Sequence, residues 1–183
     1  MPAPEPVAGA PTWRVRLNAL DLALYRRARE LARSPESVRW VRRYSRLGEH
    51  GMVWFGLGAL GALVDRDNRG RWVKATAYVV GAYVISTSIK LAVGRKRPVV
   101  EDLPHLMATP TGLSFPSSHS ASSFAAARAF GPLLPVGPLY TAAAAMALSR
   151  LYLGVHYPSD IAAGAALGTV LGHLGRARTE SEL

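Results

Sequence analysis

Apolar residues follow two patterns along the chain. Leu17, Leu20, Leu24, Ala28 and Leu31 recur at spacings of three and four, while Arg26, Arg27, Arg29 and Glu30 largely occupy other faces. That period predicts an amphipathic helix, broken near Ser34-Pro35. A second basic stretch follows, in which Val38, Val41 and Leu47 are apolar and Trp40 and Tyr44 are amphipathic. Beyond it the pattern changes to nearly continuous apolar runs, at about residues 47–64, 72–93, 119–134, 139–153 and 158–174. The runs are punctuated by the charged turn 65–71, the polar loop 94–118, the turn Pro135-Val136-Gly137-Pro138, and Pro158. Within the loop, Pro98, Pro104, Pro110 and Pro116 remove backbone donors and prevent regular structure.

Taken singly, the runs are short for membrane spans, which need roughly 20 mostly apolar residues. The uncharged stretches 51–64 and 75–89 suit a soluble all-α core as well. The position of the charges favours the membrane, because arginines stand at the ends of the apolar runs. The predicted fold is therefore all-α, a polytopic membrane helix bundle with about five transmembrane helices and an N-terminal amphipathic interfacial helix. Residues 1–13 read as a disordered tail, 14–46 as a basic amphipathic region, 47–175 as the membrane domain, and 176–183 as a polar tail. A basic amphipathic helix beside a membrane domain lies at the headgroup level; the alternative is a soluble helix packed on the domain.

Composition narrows the partners. The net charge of +10 comes from 22 basic and 12 acidic residues, with ten arginines in residues 1–48. Such a balance fits nucleic acid, an anionic membrane surface or a phosphorylated substrate. Nucleic acid is disfavoured, since the arginines alternate with apolar residues and no zinc finger, RNA-recognition signature or basic zipper is present. Membrane lipids remain as the natural surroundings, and nothing in the sequence fixes an oligomeric state. Cysteine is absent, so disulfide, thiol and cysteine-metal chemistry are excluded. The Pro/Ala-rich first dozen residues lack the pattern of a cleavable signal peptide. Arginine outnumbers lysine 19 to 3, a composition typical of GC-rich bacterial genomes.

The chemistry lies where the runs end. Lys90 and Arg97 close the second run, Pro116-Ser117-Ser118-His119 open the third, Ser149-Arg150 end the fourth, and His156 and Asp160 straddle the start of the fifth. An up-and-down bundle brings all of these to one face. Arginine's planar fork suits phosphate, lysine adds a point charge, and free N–H groups at Ser118 and His119 begin a helix. Such a face is built for phosphate. His156 can serve as nucleophile on phosphorus, with Asp160 holding its ring through the other N–H. His119 can protonate the leaving alkoxide and then activate water. The cations Lys90, Arg97 and Arg150 neutralise the transferring group, so the scheme needs no metal and no other cofactor.

These residues resemble the type 2 phosphatidic acid phosphatases, or lipid phosphate phosphatases, which are related to vanadium haloperoxidases. The family's K-x6-R-P, P-S-G-H and S-R-x5-H-x3-D appear here as Lys90-x6-Arg97-Pro98, Pro116-Ser117-Ser118-His119 and Ser149-Arg150-x5-His156-x3-Asp160. The resemblance covers residues 47–175. It implies phosphate binding by Lys90, Arg97, Ser117 and Arg150, to which the helix-start reading adds Ser118; it further implies leaving-group protonation by His119, nucleophilic attack by His156, and orientation of that ring by Asp160. Ser118 departs from the motif's glycine but keeps the backbone N–H. The chain offers five spans where membrane members commonly have six, which leaves the N-terminal region on the active-site side.

The resemblance implies an integral membrane lipid phosphatase acting on a phosphorylated lipid. The short form and the composition favour a polyprenyl-linked phosphate such as decaprenylphosphoryl-5-phosphoribose. Undecaprenyl diphosphate, phosphatidylglycerophosphate and phosphatidate are the alternatives, and a non-catalytic lipid-binding scaffold is the alternative of another class. Family precedent places the site on the extracytoplasmic face of the cell membrane, although the ten N-terminal arginines favour the cytoplasm. Outside the motifs, Arg95 and Lys96 read as solvated loop charges, and His50 and His105 as structural or solvent-facing. His173 falls at the opposite membrane face. Arg128 either points into the bundle or marks a helix shorter than its apolar run. Trp40, Trp54, Trp72 and Tyr157 read as interfacial anchors or packing residues.

Overall fold

A computed structural model of the chain describes residues 12–31 and 34–180. Most of the expected N-terminal tail lies outside them, but Thr12 and Trp13 already belong to the first helix. The described residues form seven α-helices in order: α1 (Thr12–Glu30), α2 (Pro35–Leu47), α3 (Met52–Val64), α4 (Arg69–Val93), α5 (Ser118–Ala129), α6 (Val136–Tyr152) and α7 (Pro158–Glu180). A short 3-10 turn, Glu49–Gly51, joins α2 to α3. Among the described residues there is no strand, only an isolated bridge between Lys96 and Leu113 inside the long loop.

Local chemistry sets the helix ends. Ser34 caps α2 by accepting from the Ser37 N–H, with Pro35 in the first turn. Gly94 stops α4 in the left-handed conformation, φ +65°, and returns its N–H to the Lys90 carbonyl. Ser117 caps α5. That helix ends at Ala129, ahead of Gly131-Pro132, so it is shorter than the apolar run that suggested it. Arg128 therefore sits in the last turn of α5, where its guanidinium donates to His173 Nδ1 at 2.8 Å. By contrast, α7 outlasts its apolar run and carries the expected polar tail as helix as far as Glu180. Helix hydrogen bonding needs no apolar side chains, so polarity alone does not end it.

The core centres on α5. Trp54 of α3, Trp72, Ala75, Val79 and Ala82 of α4, Ala125, Ala126 and Phe130 at α5, and Leu139 and Ala143 of α6 form one buried cluster. The α5–α7 seam is closer than an ordinary helix contact. Gly164, Gly168 and Gly172 present one face of α7 to the α5 backbone, and a Cβ on any of them would collide with the carbonyl oxygens of Ser117, Ala121 or Ala125. Trp54 and Trp72 are packing residues, donating their indole N–H to Ser123 Oγ (2.8 Å) and Asp65 Oδ2 (3.0 Å); Trp40 is exposed.

The N-terminal helices lie across the ends of α6 and α7. On α1, Asp21, Tyr25 and Arg29 are buried at a spacing of four, whereas Leu17, Leu20, Leu24 and Leu31 are exposed. The helix thus turns its polar stripe inward and its leucine stripe outward, the reverse of a soluble helix packed on a core. Tyr25 Oη donates to the Gly154 carbonyl at 3.2 Å. Arg29 donates to the carbonyls of Tyr152 at 3.1 Å and Pro104 at 2.6 Å.

Among the described residues α4 alone is long and apolar enough by length and composition to cross a bilayer, and α2 with α3 would pass as one element bent by 46°. Large apolar residues are exposed around the bundle, among them Leu60 and Leu63 on α3, Val80 and Val84 on α4, Leu148 on α6 and Val170 on α7.

Candidate active site

The eight residues singled out by spacing gather at one end of the bundle. Lys90 is in the last turn of α4, Arg150 in the last turn of α6, Ser117 and Ser118 at the start of α5, and Asp160 in the first turn of α7. Arg97 and His156 lie in the connecting loops. Gly154, at φ +76°, makes the turn that carries the chain from α6 to His156, and a side chain there would collide with Tyr25 and Arg29.

Lys90, Arg97, Arg150, His156 and Asp160 are all buried, three cations in a space that holds one carboxylate. Each cation leans on neutral acceptors. Lys90 Nζ donates to the carbonyls of Ser114 (3.1 Å) and Pro116 (2.6 Å). Arg97 donates from Nε to Thr111 O (2.9 Å) and from Nη1 to Val155 O (2.6 Å). Arg150 Nη1 donates to Ser45 Oγ at 2.6 Å, and its Nε is buried without a partner. Buried cations without full compensation are costly and create a strong demand for an anion.

The two imidazoles are set differently. Arg97 Nη1 lies 3.2 Å from His156 Nε2. A guanidinium can only donate, so Nε2 is the acceptor and the ring proton belongs on Nδ1. Nδ1 faces Asp160 Oδ2 at 3.5 Å. Burial, followed by the charges of Arg97, Arg150 and Lys90, holds His156 well below its usual pKa and keeps it neutral. Burial likewise pushes Arg97 down to about 10, which leaves it charged at neutral pH. His119 is turned the other way, with Nε2 3.2 Å from the Ser45 carbonyl; a carbonyl only accepts, so the proton is on Nε2.

Asp160 was expected to hold the His156 ring by a hydrogen bond. The carboxylate faces that ring nitrogen, but its closer partners are the Tyr157 N–H (2.8 Å, to Oδ2) and Arg95 Nη1 (2.9 Å, to Oδ1). A charged donor and a backbone N–H compete for the same oxygens and bind them at shorter range. Arg95 is consequently no solvated loop charge: it also reaches Asp21 Oδ2 at 2.8 Å and lies 4.2 Å over the Tyr157 ring. Lys96 is exposed, as expected. Ser117 spends its N–H on the Asp160 carbonyl (3.0 Å) and accepts from the Ser120 N–H (3.3 Å), whereas Ser118 Oγ is buried without a partner. His50 pairs with Tyr83 Oη at 2.7 Å and His105 with the Pro98 carbonyl.

Sequence reasoning missed Ser45, Asp21 and Arg95. Ser45 sits in a run of arginines with no distinguishing spacing, and Asp21 falls inside a leucine-periodic helix. The polar stripe Asp21, Tyr25, Arg29 was a readable signal. Beside the site, an apolar groove of about 490 Å³ opens between α2 and α6, lined by Trp40, Val41, Tyr44, Ala145, Leu148 and Tyr152 with Ser149 at its edge.

This fold and this set of residues define a class. The PAP2 superfamily model matches residues 71–179, and the chain belongs to that superfamily; it is a phosphatase. It is 42% identical over 142 residues to the decaprenylphosphoryl-5-phosphoribose phosphatase of Mycobacterium tuberculosis, covering 75% of this chain and 78% of that protein. The crystal structure of Aquifex aeolicus LpxE superposes with a TM-score of 0.73 at 26% identity, over 85% of this chain and 94% of that one. The transmembrane PAP2 type phosphatidylglycerolphosphate phosphatase of Bacillus subtilis shares the fold, with a TM-score of 0.75 at 22% identity over 91% and 87% of the two chains.

Proposed function

We propose that this chain is an integral membrane lipid phosphatase that removes the terminal phosphate of decaprenylphosphoryl-5-phosphoribose through a phosphohistidine on His156. The observation that carries the chemistry is the neutral His156 ring, held with Nε2 unprotonated among three buried cations. The identity to the Mycobacterium tuberculosis enzyme supports the substrate, and the apolar groove beside Arg150 supports a lipid chain running out between α2 and α6.

In the first step the phosphate oxygens draw the guanidinium of Arg97, which releases Nε2. That nitrogen attacks phosphorus, the bond from phosphorus to the leaving oxygen breaks, and His119, entering the step as an imidazolium, gives the alkoxide its Nδ1 proton and keeps the Nε2 proton on the Ser45 carbonyl. Lys90, Arg97 and Arg150, with the N–H groups of Ser118 and His119 and the hydroxyls of Ser117 and Ser118, balance the charge on the transferring group. In the second step His119 takes a proton from water, the water oxygen attacks the phosphohistidine, and inorganic phosphate leaves. Asp160 faces the Nδ1–H throughout.

The membrane arrangement we propose has α3 to α7 as the spanning bundle within a phosphatase domain of residues 47–175. The basic region 14–46 lies at the headgroup level over the site, and a polar segment 176–183 leaves the bilayer. The outward leucine stripe of α1 supports the interfacial position. The site faces the extracytoplasmic side, and the absence of native cysteine allows a clean test: His105→Cys in intact cells should react with an impermeant thiol reagent, and protection would reverse the orientation.

The substrate is tested by phosphate release from the purified protein across decaprenylphosphoryl-5-phosphoribose, undecaprenyl diphosphate, phosphatidylglycerophosphate and phosphatidate. The highest kcat/KM is expected for the first. A clear preference for any other overturns the substrate assignment, and turnover of none supports the non-catalytic scaffold.

A further inference from the structure

We propose that Asp21, on the N-terminal helix and outside all three motifs, is a positioning residue for the phosphatase: acting through Arg95, it keeps one oxygen of Asp160 turned to His156. The inference rests on the roles given above to His156 and Asp160.

Asp21 is only 2% exposed, on a helix whose leucines are exposed. A buried carboxylate persists only where it is paired and hydrogen-bonded. Here Oδ1 accepts from the Ser159 N–H at 2.9 Å, and Oδ2 accepts from Arg95 Nη2 at 2.8 Å and from the Ser159 hydroxyl. All three donors belong to the site's own loop and to the first turn of α7. None belongs to α1.

The Arg95 guanidinium is divided between two carboxylates. Nη2 goes to Asp21, while Nη1 goes to Asp160 Oδ1 at 2.9 Å and to Ser159 Oγ at 2.7 Å. The Tyr157 ring beneath fixes its plane. An arginine facing a single carboxylate prefers a two-pronged fork that uses both carboxylate oxygens. Asp21 occupies the second prong, so Arg95 holds only Oδ1 of Asp160. That leaves Oδ2 opposite His156 Nδ1. Without Asp21, the second prong turns to Asp160 and draws the carboxylate from the ring. Asp21 also balances the charge of Arg95, so Asp160 retains its own for the imidazole once Nε2 carries phosphorus.

Asp21 is not needed merely to fasten α1. Tyr25 and Arg29 already bind that helix to the carbonyls of Gly154, Tyr152 and Pro104. The polar face of α1 thus has two duties, attachment at Tyr25 and Arg29 and orientation at Asp21.

The test is steady-state turnover of decaprenylphosphoryl-5-phosphoribose by the full chain in detergent, with thermal unfolding measured alongside. Asp21→Asn should lower kcat by about tenfold to a hundredfold, the range for misplacing a reacting group, with KM within about twofold. In an Arg95→Ala background the same substitution should change kcat by less than about twofold, because the second prong is gone. Should Asp21→Asn not fold, Arg95→Lys, whose single ammonium cannot serve both carboxylates, is expected to show the same loss in kcat at constant KM. A wild-type kcat in Asp21→Asn, an equal loss in both backgrounds, or a change confined to KM overturns the inference. His156→Ala separates the two layers. Retained turnover there overturns the functional reading along with this one, whereas a dead His156→Ala beside a fully active Asp21→Asn overturns this inference alone.

Discussion

Two interfaces hold the site from opposite sides, and they are made of different material. Between α5 and α7 the contact is backbone against backbone, with glycines at 164, 168 and 172 and with Ala121 and Ala125 facing them. Between the N-terminal cover and the bundle the contact is polar, through Asp21, Tyr25, Arg29 and Ser45 reaching carbonyls, arginines and a serine. The first fixes distances by leaving no space. The second fixes directions, because hydrogen bonds and ion pairs depend on angle. A phosphatase needs both: Ser117 and Asp160 must be adjacent across the seam, and the imidazole and guanidinium groups must point correctly once there.

The seam should be the more fragile to added bulk. Gly168→Leu places a side chain on the Ala121 carbonyl and is expected to cost about 3 kcal/mol or more, read as a large fall in unfolding temperature in detergent. An unchanged unfolding temperature would mean the helices do not meet there. The cover should respond to a lost donor instead. Arg29→Ala strands the carbonyls of Tyr152 and Pro104 and should cost about 2 kcal/mol, with faster proteolysis between α1 and α2. Equal proteolysis of variant and parent would detach Arg29 from the account.

A smaller effect appears in pH dependence. His156 is pulled below the ordinary histidine value of 6.5 by burial and by Arg97, Arg150 and Lys90, against which a hydrogen bond to the Ser114 backbone pulls the other way. A lowered pKa keeps the ring neutral, and therefore nucleophilic, on the acid side of that value. The acid limb of kcat/KM is expected below pH 6.5. A limb above it would mean that the ring titrates as an exposed histidine does. The smallest change is expected for Gly81→Ala in α4, where the new Cβ meets nothing within 4 Å. Helix propensity alone then operates, for a gain of up to about 1 kcal/mol. A loss as large as that of Gly168→Leu would erase the distinction between the seam and an ordinary helix face.

How much of this was legible in the sequence divides along the same line. The motif spacings placed Lys90, Arg97, Ser117, Ser118, His119, Arg150, His156 and Asp160 at one end of an up-and-down bundle, because helix periodicity and prolines locate helix ends. The repeat Gly164, Gly168, Gly172 was visible as a period of four, but hydropathy weighs glycine lightly and passed over it. The cover was not readable in the same way. Nothing local tells Asp21 that its partner is Arg95, 74 residues away, or Ser45 that Arg150 waits 105 residues on. The inward polar stripe of α1 becomes meaningful only when the leucines are seen to face outward. Apolar runs also misjudged two ends, since Gly131-Pro132 stops α5 early and polar residues carry α7 onward.

The central claim is that phosphorus passes through His156. It is tested most directly by rapidly quenching the purified protein during turnover of radiolabelled lipid phosphate and mapping the label. An acid-labile, alkali-stable phosphoryl group on the peptide containing His156 is the expected result, absent in His156→Ala and accumulating when His119 is replaced by Ala, since water then lacks its base. Sustained phosphate release with no labelled protein at any quench time, or label on a serine of residues 114–123, would contradict the account.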